Sequence, residues 1–110
     1  MELSPDAAKE LSILYGVVSE TIKYTLEAFE NYDLEAAKKV MEREDVIDRL
    51  VIKNRKRHIM RMNNNDSSET SDGFYVDILS NVERIGDHCN NIVINIIQEN
   101  YYNEELDYEY

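Results

Sequence analysis

Apolar residues recur at steps of three and four along three long stretches of the chain, the spacing of one face of an α-helix. The most regular stretch, Phe74 to Ile97, carries Ile78, Val82, Ile85, Cys89, Ile92 and Ile96. The first carries Leu11, Tyr15, Val18, Ile22, Thr25 or Leu26, and Phe29, and reaches about Asn31. The second carries Leu34, Ala37, Val40, Met41, Ile47, Leu50 or Val51, Asn54, His58 and Met62. Ser4-Pro5-Asp6 is a strong helix start: serine caps free amides, proline suits the first helical position, and Asp6 complements the positive end of the dipole. Tyr32-Asp33 forms a short connection, with Asp33 as the cap of the second helix, and so short a link makes the two helices antiparallel neighbours. The polar run from Asn63 to Gly73 is rich in cap formers and leads into the third helix near Ser71 or a few residues earlier.

The predicted fold is all-α, an up-down-up three-helix bundle over residues 1–100, each helix roughly 40 Å long at about 1.5 Å per residue. Three Gly and one Pro in 110 residues leave too few turn formers for a strand-rich fold. Gly16 and Gly86 interrupt helices at a cost of about 1 kcal/mol each, which predicts close helix approach at both, as one tight crossing. Beyond about Asn100 the periodicity stops, and the acidic, tyrosine-rich residues 101–110 are expected to fray.

Charge narrows the function. Twelve Lys and Arg stand against 23 Asp and Glu, a formal net charge of −11. That field repels nucleic acid and anionic membranes and attracts cations. No apolar run reaches the ~18 residues of a membrane span, and Met1-Glu2-Leu3-Ser4-Pro5 has no signal-peptide character, so a soluble, cytoplasmic domain is expected. Cys89, the single cysteine, lies on the apolar seam and reads as a small buried hydrophobe.

Two rows of carboxylates flank the seams. Glu83 and Asp87 on the third helix are four apart, with Asn90 or Asn91 continuing the row, and Glu44 and Asp48 repeat the Glu-x-x-x-Asp spacing on the second. Glu2 and Asp6 share that spacing at a helix start, where the dipole alone accounts for them. The other two pairs sit mid-helix beside apolar seams, where carboxylates are costly to dehydrate unless paired or bound to a cation. Lys53, Arg55, Lys56, Arg57 and Arg61 crowd the end of the second helix and read as a solvated face complementing its negative end, with docking of an acidic or phosphate-bearing partner as the alternative. His58 falls near the seam and is expected to pack, while His88 points about 100° away from Asp87.

The run Asp77-Ile78-Leu79-Ser80-Asn81-Val82-Glu83-Arg84-Ile85-Gly86-Asp87-His88, followed by Asn90-Asn91-Ile92, resembles the signature of the PhoU family. Glu44-Asp45-Val46-Ile47-Asp48 resembles the family's second acidic motif. The stretch from Arg57 to Asn63, with the serine-rich loop before Phe74, more closely resembles the PhoU-like cytosolic region of bacterial sodium/phosphate cotransporters than the free-standing regulator. The likeness covers roughly Ala7 to Gln98. It implies a three-helix unit that regulates phosphate transport, with Glu44, Asp48, Glu83 and Asp87 as metal ligands and Asp45 and Asn91 as further ones. The implied cofactor is a divalent cation or iron. The implied partner is the membrane portion of a transporter or other phosphate-transport machinery, met at the inner face of the membrane. Because the family often duplicates this unit, self-association is a further expectation.

The alternative is a metal-free helical module for protein–protein interaction or dimerisation, its carboxylates merely paired with Lys or Arg. Catalysis is not expected. Di-iron bundles use Glu-x-x-His in pairs, and no Glu here has a His three positions on. Neither histidine stands in a nucleophile or phosphoacceptor arrangement.

Overall fold

The computed structural model describes the backbone of residues 3–64 and 69–109 and the side chains of 3–64 and 73–101. It is a three-helix bundle, α1 (Pro5–Asn31), α2 (Leu34–Asn63) and α3 (Glu69–Glu109), with no strand among the described residues. The body is a rod of 67 × 18 × 17 Å. Glu10 on α1 meets Arg61 and Glu20 meets Arg43, so α1 and α2 run antiparallel. Arg55 meets Glu83 while Glu44 gathers with Asp87, which makes α2 and α3 antiparallel as well. The order is therefore up, down, up.

The helix starts follow local chemistry. Ser4 Oγ accepts from Ala7 N at 3.1 Å ahead of Pro5, and Asp33 Oδ1 accepts from Glu35 N and Ala36 N at 3.0 and 3.1 Å. Tyr32 takes the left-handed conformation, φ 55°, that ends α1, and its phenol donates to Glu99 on α3. α3 begins at Glu69, two residues before Ser71, and runs past Asn100 to Glu109, since no Pro or Gly after Gly86 interrupts it. Residues 65–68 of the connecting loop, and the side chains of the tail beyond Tyr101, lie outside the described residues.

Two apolar clusters fill the axis. One joins Ala7, Leu14, Val18, Ile47, Val51, Tyr75 and Leu79; the other joins Ala28, Ala36, Ala37, Val40, Cys89, Val93 and Ile96. Thr21 and Thr25 are buried, their hydroxyls satisfied by donation to Val17 O and Thr21 O at 2.7 and 2.8 Å. These small residues let the helices approach closely.

That closeness corrects the expected seams. The buried face of α1 is Ala7, Glu10, Leu14, Val18, Thr21, Thr25 and Ala28, whereas Tyr15, Ile22, Leu26 and Phe29 are exposed. The stripe of large residues is turned about a quarter turn from the core, at ~100° per residue. On α3 the core takes Tyr75, Leu79, Gly86, Cys89, Val93 and Ile96, while Ile85 and Ile92 are exposed and Ile78 and Val82 half-buried. On α2, Val40, Ile47, Val51, Asn54 and His58 are buried as the periodicity predicts, while Met41 is exposed. The tight crossing of two glycines is also corrected: nothing lies within 4 Å of a side chain placed at Gly16, whereas Gly86 packs against Ile47.

Candidate metal centre

The geometry of α2 sets two carboxylates side by side. Glu44 and Asp48, one turn apart, project from the flank of α2 next to the buried Ile47. Across from them, α3 lies beside that helix at Gly86, where a Cβ would stand in ordinary contact, 3.5 Å from Ile47 Cδ1 and Cγ2 and 3.9 Å from Glu44 Cγ. The residue after the glycine is Asp87, and one carboxylate oxygen from each of Glu44, Asp48 and Asp87 lies within 4.8 Å of the others. Glu44 and Asp48 are half-buried and Asp87 is exposed, so the cluster opens to solvent on the α2/α3 side.

Three negative groups so close cannot all ionise cheaply. Burial raises the Glu44 pKa to about 7, helped by a hydrogen bond shared with Asp48 and by the charges of Asp48, Asp87 and Asp45. Near neutral pH the trio therefore holds a proton about half the time. A cation offers the same relief.

Of the six residues singled out in the sequence, three come together. Glu83 is drawn elsewhere: Arg55 Nη2 lies 3.0 Å from its Oε1, an ion pair between α2 and α3. Asp45 is exposed beside the trio and acts on Glu44 through its charge. Asn91 is exposed one turn beyond Asp87. Arg55 was legible only as one of a basic run, because pairing it with Glu83 requires the register of α2 against α3.

The basic end of α2 is not simply a solvated face. Arg61 makes a two-pronged pair with Glu10, Nη1 donating to Oε2 and Nη2 to Oε1 at 3.0 Å each, Arg57 approaches at 3.7 Å, and the Tyr75 hydroxyl donates to Glu10 at 2.5 Å. Burial pushes the Glu10 pKa up, but the bonds from Arg61 and Tyr75 and the two guanidinium charges outweigh it and hold the carboxyl below its ordinary range. His58 stacks on Tyr75 with ring centroids 4.8 Å apart, so it is packed as expected. Glu10 went unnoticed in the sequence as a lone acid on an apolar face. The signal was the up-down topology, which puts the start of α1 level with the end of α2.

Among the described residues, no helix is long and apolar enough to cross a membrane. Residues 11–96 match the PhoU domain. The chain is also 29% identical over 89 residues to the phosphate-specific transport system accessory protein PhoU homolog 1 of Thermotoga maritima, a match covering 81% of this chain and 38% of that relative. The chain thus spans well under half the length of that relative. No solved structure matches it significantly. With the matched segment spanning all three helices and both carboxylate-bearing flanks, the chain belongs to the PhoU domain family.

Proposed function

We propose that this bundle is a regulatory module of phosphate transport whose α2/α3 face binds a hard metal ion through Glu44, Asp48 and Asp87. The observation that carries the metal reading is the convergence of three carboxylates from two helices within 4.8 Å. The donor set fits a hard cation: all ligands are oxygens, two are half-buried and held one turn apart on one helix, and the open side leaves room for water. The raised Glu44 pKa marks a local excess of negative charge that a divalent cation or iron neutralises. When bound, the ion supplies positive charge that ties α2 to α3.

The phosphate-transport part rests on family membership and on the named role of the Thermotoga maritima relative. In this reading the module acts in the cytoplasm on the membrane portion of a sodium/phosphate cotransporter or on a related uptake system. It regulates and does not catalyse.

The test separates the two parts. Elemental analysis follows purification without chelator and without an affinity metal column, for the native chain, the Glu44→Gln/Asp87→Asn variant and Glu83→Gln. About one ion per chain, lost in the double variant and kept in Glu83→Gln, is the expected result. No ion in the native chain, with helicity intact, removes the metal reading. Phosphate uptake in cells carrying the same variants tests the regulatory part, which fails if uptake and its response to external phosphate are unchanged.

A further inference from the structure

The second half of α2 carries charge of the opposite sign to the rest of the chain. From Arg49 to Asn65 the sequence has six Lys and Arg and no Asp or Glu, in a chain of net charge −11. At about 100° per residue, Arg49, Ile52, Lys53, Lys56, Ile59 and Met60 fall within about a third of the helix circumference, and all of them are exposed. Ile52 is 54% exposed, Ile59 53% and Met60 64%, so apolar side chains stand in water between the cations. We propose that this face docks the bundle on a bilayer of anionic phospholipid. The cations meet the headgroup phosphates, and Ile52, Ile59 and Met60 enter the boundary between headgroups and acyl chains.

The cations are available for such a contact. The acids flanking the face are already taken, Glu10 on α1 by Arg61 and Arg57, and Glu83 on α3 by Arg55. Arg49, Lys53 and Lys56 make no ion pair among the described residues. Asp48 turns aside toward Asp87. The next acid on the stripe itself, Asp45, precedes Lys56 by three turns, roughly 17 Å at ~1.5 Å per residue. That is about two Debye lengths at physiological salt. A surface that meets only this end of a 67 Å rod is therefore screened from most of the chain's negative field.

Shape and apolar content select lipid over other anions. One outward helix face is convex, and a bilayer closes around such a ridge. Peptides are recognised in grooves, and the bundle's apolar groove lies elsewhere, between α1 and α3. Nucleic acid would pair with the cations but leave Ile52, Ile59 and Met60 unmatched, and the face offers no aromatic ring for a base to stack on. A phospholipid surface satisfies both kinds of side chain at once.

Co-sedimentation with vesicles tests the contact. Chelator is present throughout, so that no ion bridges the α2/α3 carboxylates to lipid phosphate and the outcome is independent of the metal reading. Vesicles of equal phosphatidylglycerol and phosphatidylcholine should bind the chain, and vesicles of phosphatidylcholine alone should not. Each basic residue near an anionic surface strengthens binding about fivefold, so Lys53→Gln/Lys56→Gln should bind about 25-fold more weakly. Lys23→Gln/Lys38→Gln makes the same change of net charge elsewhere on the rod and should bind like the native chain. All four lysines are exposed, so both variants should keep native helicity. Ile59→Ser/Met60→Ser should also weaken binding, through lost apolar insertion. No binding to the anionic vesicles, equal binding to the neutral ones, or equal loss in the two lysine pairs overturns the proposal. A chain that ignores vesicles but binds a poly-glutamate peptide through Lys53 and Lys56 overturns it too, and assigns the face to an acidic protein.

Discussion

Replacing Glu44 by Gln should stabilise the metal-free protein above neutral pH and do little below about pH 4.5. Unfolded, the carboxyl titrates near 4.5; folded, its pKa is about 7, raised by burial, by the bond to Asp48 and by the neighbouring charges. Between those values the folded chain binds more protons than the unfolded one, so this group's contribution is fully favourable below 4.5 and is lost as pH rises through 7. At ~1.4 kcal/mol per pKa unit the ionised carboxyl costs the fold about 3 kcal/mol, and screening at the open side of the cluster reduces that to roughly 2. Glutamine keeps the shape and removes the charge.

The assay is thermal unfolding of the native chain and Glu44→Gln across pH 4 to 9 in chelator. The variant should melt roughly 10 °C higher at pH 8 and within a degree or two at pH 4, at about 4–8 °C per kcal/mol for a domain near this size. Saturating manganese should reverse the order, because only the native site gains binding free energy, about 2.7 kcal/mol at a hundredfold excess over the dissociation constant. Equal melting at pH 8 in chelator, or a native curve parallel to the variant's at all pH values, refutes the electrostatic reasoning. A native protein that manganese does not stabilise refutes the metal reading alone.

Glu10→Ala should destabilise by about 3–5 kcal/mol, since it leaves Arg61 and the Tyr75 hydroxyl at a buried site without their acceptor; urea unfolding at pH 7 measures it. Because the Glu10 carboxyl is held below its ordinary range, that stabilisation is present above about pH 4.5 and is lost as pH falls through the folded value, so native and Glu10→Gln stabilities should converge in acid. Gly16→Ala should stabilise by about 1 kcal/mol, as the added methyl meets nothing within 4 Å and helix propensity alone decides. Gly86→Leu should cost about 1–3 kcal/mol through Ile47 and lower metal affinity, read by unfolding and by titration calorimetry.

The long elements were legible because periodicity, the Ser4 and Asp33 caps and the short Tyr32-Asp33 connection all point the same way. The face of each helix was less so. Counting apolar residues favours the largest side chains, and on α1 these are Tyr15, Ile22 and Phe29, all outside the core. Beside Thr25 and Ala37, which the spacing did place on the core face, the core took Ala28, Ala36 and Thr21, whose small or self-satisfied side chains permit close helix packing. Helical spacing could name Glu44 and Asp48 as one pair and Glu83 and Asp87 as another. It could not say which of the four meet, because that depends on the stagger between two helices joined by a long polar loop.

That stagger can be read at Gly86. The buried Ile47 stands opposite it, in ordinary contact distance of a Cβ at that position, and marks the height at which the two helices face each other. At that height Asp87 stands beside Glu44 and Asp48, while Glu83, one turn earlier, stands beside Arg55. One row of two acids is thus divided between two tasks: Glu83 neutralises a cation already in the chain, and Asp87 joins two carboxylates that have no ion-pair partner among the described residues. At this register three carboxylates gather where α2 and α3 open to solvent, and their mutual repulsion is what a proton or a cation relieves there.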